Sequence, residues 1–127
     1  FYFKNYGKNV LQHPLIVEAI EDLFIPLAIF NNKSGHDEKI LNKFKEPSWN
    51  NPVARVINSA GKNIVPRLSD QYNAYAVVQL IHDALLASDR EIPGYLKLLI
   101  EELQADFLGT KETNISMFCF WSGEKNI

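Results

Sequence analysis

The chain has 127 residues and a mass of 14.5 kDa, the size of one domain, and its 46% hydrophobic and 22% charged residues exclude a disordered or fibrous protein. The net charge is −2, from 13 basic and 15 acidic residues without a basic stripe, which argues against nucleic acid, whose binding rests on phosphate neutralisation. The longest apolar run, residues 23–30, contains Pro26 and falls short of the roughly 18–20 residues that span a bilayer.

Residues 1–5 lack the basic-then-apolar order of a signal peptide, so no membrane association and a cytoplasmic location are expected. A single cysteine, Cys119, excludes an internal disulfide framework and a Cys-x-x-Cys pair within the chain. His13, His36 and His82 lie far apart, with no second ligand at metal spacing, so neither a zinc site nor a cofactor is expected.

Residues 8–22 read as a helix, with Val10, Val17, Ile20 and Phe24 at helical spacing and Glu18, Glu21 and Asp22 off that stripe. Pro14 predicts a break or kink near His13. Residues 23–30 are short, apolar and followed by Asn31-Asn32-Lys33-Ser34-Gly35, which predicts a buried strand with Pro26 facing an unpaired position. A short helix over 37–45 places Ile40, Leu41 and Phe44 on one face, capped by Ser34 or Asp37.

Residues 46–52 form a loop between two prolines. Strands over 53–57 and 63–68 then flank a turn at 58–62, where Gly61 is placed for positive φ. Pro66 puts the second strand at a sheet edge. Ser69 or Asp70 caps a helix to about Ala87, with Tyr75, Val78, Ile81, His82 and Leu85 on one face. Pro93 suits the first turn of a further helix with an apolar stripe of Leu96, Leu99, Ile100, Leu103 and Phe107, ended by Gly109. Residues 108–113 resemble a linker, and 114–121 read as a final strand. Helices interspersed with a hairpin indicate a mixed α/β sheet domain.

This order resembles a thioredoxin-like fold entered just after its first strand. Residues 8–20, with their internal proline, are similar to the helix that follows the redox motif. Phe24-Ile25-Pro26-Leu27-Ala28-Ile29 is similar to the next strand, and Asn51-Pro52-Val53-Ala54-Arg55-Val56-Ile57 with Ala60-Gly61-Lys62 to the family's cis-proline, strand and hairpin. Residues 1–107 resemble in particular the thioredoxin-like group with a Val-Pro-Gly-Cys or Val-Pro-Gly-Sec motif. In that alignment the reactive residue falls immediately before Phe1, and Phe3 stands near the second cysteine. The resemblance therefore implies a mixed sheet flanked by helices that lacks its first strand, plus an extra C-terminal helix and strand. It implies no thioredoxin-type redox centre within these residues.

Cys119-Phe120-Trp121-Ser122-Gly123-Glu124 resembles the Gly-Cys-Phe-Trp-Gly-x-Glu signature of A-type peptide methionine sulfoxide reductases, with Phe118 and Ser122 in place of the two glycines. The resemblance implies that Cys119 is the nucleophile and that Phe120 and Trp121 hold the substrate methyl. It covers the start of such a segment, over 108–127, without the family's remaining catalytic residues.

Each of these residues also has a structural reading. Cys119 can be a buried cysteine of an apolar strand, since Lys125 is its only nearby cation and no histidine adjoins it. Pro52 can be a cis-proline shaping a thiol-substrate groove or a trans proline before a strand. Trp49, Asn50 and Asn51 can line a peptide groove, or Trp49 can be a lid on the core. His82, on an apolar helix face, reads as a core histidine.

Three functions follow. The first is part of a thiol or selenol redox protein linked to methionine sulfoxide reduction, whose partners are protein or peptide thiols, disulfides or oxidised methionine. The second is a non-catalytic thioredoxin-like module binding peptides near residues 49–52. The third is an interaction domain outside that fold, to which a structure without residues 23–30 and 53–57 in one sheet would point.

Overall fold

The computed structural model describes residues 7–50 and 52–109. A single helical turn at 7–9 precedes a break, and α1 then runs Pro14–Leu23 with proline in its first turn, where the missing N–H costs nothing. The break falls at His13, whose carbonyl accepts from Ile16 and Val17 at 3.0 Å. α2 spans His36–Lys43, α3 Ala74–Ala87 and α4 Gly94–Leu108.

α1, α3 and α4 pack on one another and make the core. Ile16 and Ala19 come from α1, Val77, Val78, Ile81 and Leu85 from α3, and Leu96 and Leu99 from α4. Val78, Leu85 and Leu96 are fully buried. Ile100 and Leu103 pack at the margin, whereas Phe107 is exposed and its ring stacks on Tyr75 at 5.5 Å. α2 buries no residue and lies outside this core.

The thioredoxin-like mixed sheet is not present among the described residues. The β structure there consists of two isolated antiparallel bridges, Ala54 with Leu68 and Ile57 with Asn63. The expected hairpin survives as an irregular ribbon. Ala54 and Leu68 exchange hydrogen bonds of 2.9 Å, and Ile64 donates to Val56 at 2.8 Å. Its turn follows the sequence reading: Gly61 has φ +74, and the Asn58 side chain accepts from the amides of Ala60 and Lys62.

Residues 23–30 are a second correction. Leu23 closes α1, and the chain from Ile25 to Phe30 pairs with no strand. A buried strand needs ladder partners on its flanks, and none of the other described segments supplies them. The third correction concerns α3, which begins at Ala74 rather than near Ser69. Asn73 is its cap, extended at φ −119 and ψ 161, with its side chain accepting from Ala76 at 2.9 Å. The strand expected at 114–121 lies outside the described residues.

Two helices end in left-handed residues that are not glycine. After α2, Lys45 has φ 52, Lys45 donates to the Asn42 carbonyl and Glu46 to that of Leu41. After α3, Asp89 has φ 52, Asp89 donates to Leu86 and Arg90 to Leu85. Both are Schellman closures, which reverse the chain and satisfy carbonyls that a helix end leaves open.

Candidate functional site

The Schellman turn after α3 aims Arg90 back at α1, where its Nη1 donates to the Leu23 carbonyl at 2.7 Å. Phe24 leaves that helix extended, at φ −136 and ψ 170. Residues 25–30 then run without turn or bend. The far end is held by Asp37, in the first turn of α2, whose carboxylate accepts from the Phe30 amide at 3.1 Å. Lys33 sits 4.2 Å above the Phe30 ring, a cation–π contact that fixes that ring at the segment's end.

Between these anchors, no hydrogen bond reaches the backbone of Ile25, Pro26, Leu27, Ala28 or Ile29 among the described residues. The side chains from Ile25 to Ala28 are open as well, with Ile25 97% exposed and Leu27 76%, while Ile29 is half-buried. Large apolar side chains at this exposure on a segment tied down at both ends differ from the scattered apolar surface of any protein.

Trp49 adjoins this segment. The Asn31 side-chain amide donates to the Ser48 carbonyl and so holds the loop before Trp49 against the end of the apolar run. Trp49 itself is 81% exposed, so it is no lid on the core. The loop is shaped from its other side by Glu46, whose side chain is 6% exposed. Its carboxylate accepts from the Arg55 guanidinium, from Arg67 at 2.9 Å and from the Asn50 amide at 3.1 Å. Arg55 also lies 4.9 Å over the Phe44 ring and donates to Asn63 at 3.3 Å. One buried carboxylate thus joins the end of α2, the Trp49 loop and both arms of the ribbon.

A cleft of about 260 Å³ lies between the ribbon and α3, with Arg67, Leu68, Gln71, Tyr75, Gln79 and Asp83 on its walls. Asp83 there accepts from Gln79 at 2.9 Å and lies 3.0 Å from His82 Nδ1. His82 is a partly exposed surface residue rather than part of the core. No group of three or more His, Cys, Asp or Glu that could hold a metal ion occurs among the described residues.

Of the residues singled out in the sequence, Trp49, Asn50 and Pro52 fall near one another, with Pro52 half-buried before the ribbon. The Asn50 side chain spends a donor on Glu46, and its backbone amide donates to Pro47 at 3.1 Å. Asn51, Cys119, Phe120 and Trp121 lie outside the described residues. The sequence reading missed the exposure of residues 25–30, whose apolarity signals a core strand, and it missed Glu46. The charge pattern of Glu46, Arg55 and Arg67, at separations of 9 and 21 residues, carries no local signal. No family model, curated protein or solved structure matches the chain. No helix among the described residues is long and apolar enough to cross a membrane.

Proposed function

We propose that the chain is an interaction module that docks an extended segment of a protein or peptide along residues 25–30, beside Trp49. One observation carries this reading: an apolar run without turn or bend, exposed from Ile25 to Ala28 and half-buried at Ile29, is anchored at Leu23 and Phe30, and residues 25–29 have no backbone hydrogen bond among the described residues. Such a run is a template for strand addition, in which main-chain hydrogen bonds supply affinity and alternate side chains supply selectivity. Because both ends are fixed beforehand, little backbone entropy remains to be lost on docking. Residues 25–30 and 53–57 share no sheet, the arrangement that favours an interaction domain. A cytoplasmic location goes with this reading, since a single cysteine gives no disulfide framework.

The test is a titration of the ¹⁵N-labelled chain, at low micromolar concentration, with an acetylated and amidated peptide of alternating threonine and valine. Saturable shifts at the amides of Ile25, Leu27 and Ile29 and at the Trp49 indole are the expected result. Shifts absent there, or spread evenly over α3 and α4, sink the reading.

A second reading rests on Cys119-Phe120-Trp121 alone. In it, the Cys119 thiol attacks a methionine sulfoxide sulfur and the oxygen passes to the cysteine as sulfenic acid. The thioether is released, and an external thiol then reduces Cys119 with loss of water. Reduction of a methionine-sulfoxide peptide in the presence of dithiothreitol, abolished by Cys119→Ser, is its expected signature. Equal rates for the two chains remove it.

A further inference from the structure

The run at 25–30 has two edges, and they are chemically unequal. Once such a run is taken up as a β-strand, the N–H and C=O of one residue point to the same side and successive residues alternate. Ile25, Leu27 and Ile29 therefore present one edge, and Pro26, Ala28 and Phe30 the other. The even-numbered edge is blunted twice. Pro26 has no N–H, and the Phe30 N–H is taken by the Asp37 carboxylate. The odd-numbered edge keeps all its donors and acceptors open among the described residues.

We propose that the odd-numbered edge pairs with the same edge of a second copy of this chain, antiparallel, about a two-fold axis at Leu27. This rests on the reading of residues 25–30 as a strand-addition site. The sequence is self-complementary in that register: Ile25 faces the second copy's Ile29, Leu27 faces Leu27, and Ile29 faces Ile25. Each facing pair exchanges two hydrogen bonds, about six in all. The six side chains brought to one face are aliphatic and β-branched or leucine, and residues 23–32 carry no charge to repel across the axis.

Closure follows from the unequal edges. Each copy offers one competent edge, so assembly stops at a symmetric pair and does not continue as a fibre. The short edge buries well under the roughly 1,200 Å² of a stable complex, so the pair is weak and forms between about 10 µM and 1 mM. Self-pairing and docking of another extended segment use the same edge and compete.

Sedimentation equilibrium over that concentration range, with reductant present to keep Cys119 reduced, tests the proposal. The average mass is expected to rise toward twice that of the chain. Leu27→Pro, which deletes a donor from the odd-numbered edge, should remain monomeric. Ala28→Pro, which deletes a donor from the other edge, should associate as the parent does. Leu27→Lys keeps the N–H but sets like charges opposite each other, and should also remain monomeric. Leu27 and Ala28 are exposed and unpaired, so the helical circular-dichroism signal should be unchanged in all three variants. A chain monomeric at 1 mM overturns the proposal, as does association that survives Leu27→Pro or is lost with Ala28→Pro. If the peptide titration succeeds while the chain stays monomeric, only self-pairing has failed; if both are negative, the docking reading falls with it.

Discussion

Single residues in this chain carry unequal loads, and Glu46 carries the most outside the core. Its buried carboxylate receives two guanidinium groups and an amide. Removing Glu46 takes away the shared acceptor of the Arg55 and Arg67 guanidinium groups, which are partly exposed and which water will screen, so the loss falls on the hold between the ribbon arms and the end of α2. Glu46→Ala is expected to speed hydrogen exchange at the Ala54 and Leu68 amides by two orders of magnitude or more. Tyr95 is the opposite case, a hydroxyl shielded from water with no hydrogen-bond partner among the described residues. Burial first, and then Glu18 and Asp22, raise its pKa above the ordinary 10.0. The folded state therefore holds the Tyr95 proton more tightly than the unfolded state. Below pH 10 the proton-linked part of stability is constant, and it falls as pH climbs beyond that value and the buried hydroxyl is forced to ionise. Tyr95→Phe should raise stability at neutral pH by up to about 1 kcal/mol. Urea titrations of parent and variant between pH 8 and 11 should show a shallower alkaline decline in the variant.

The helical elements depend on their ends as much as on their faces. Asn73 caps α3, the helix that supplies most of the core, and Asn73→Ala should cost about 1 kcal/mol in urea unfolding. Lys45 closes α2 in a left-handed conformation that strains a side-chain-bearing residue. Lys45→Gly should therefore stabilise by about 0.5–1 kcal/mol, read as a rise in the thermal midpoint. These ends also show what was legible in the sequence. Helix periodicity is local, so Val78, Ile81 and Leu85, or Leu96 and Leu99, reveal a buried face without knowledge of any other segment. Pro14, Pro93 and Gly109 mark boundaries for equally local reasons. The Asn58 to Lys62 turn was readable because Gly61 had to supply positive φ. The sheet was not readable, because a strand exists only through partners distant in sequence. Residues 23–30 have the composition of a core strand, yet residues 25–28 lie open, since apolarity records a tendency to be buried and not what does the burying. The candidate site shares that limit: residues 46–50 read as a loop and form one, whereas the apolar run beside them reads as interior and lies largely open.

At the scale of the molecule, two layers are held by different forces. The three-helix layer of α1, α3 and α4 is held by apolar burial, with Leu85 at its centre and fully buried. The outer layer, made of α2, the Trp49 loop and the ribbon, packs on that core through the partly buried Leu68 among the described residues and is held together internally by Glu46 and its arginines. Contacts between layers are few among the described residues, so the outer layer is expected to open as a unit below the free energy of global unfolding. Two variants separate the layers. Leu85→Ala removes buried methyl groups and should lower global stability by about 2–5 kcal/mol in urea. Exchange of the ribbon amides should change little with it while the chain remains folded, because their opening does not pass through the core. Glu46→Ala should do the reverse, accelerating the ribbon amides and leaving the urea midpoint close to that of the parent. A midpoint that falls equally in both variants would mean that the layers unfold together. Independent opening bears directly on the docking edge. Asp37 and Ser48, which hold the far end of residues 25–30, belong to the outer layer, whereas Arg90 and Leu23 belong to the helical one. Opening of the outer layer would release Phe30 and slacken the run, so Glu46→Ala should weaken binding of the alternating threonine–valine peptide although Glu46 touches no part of that edge.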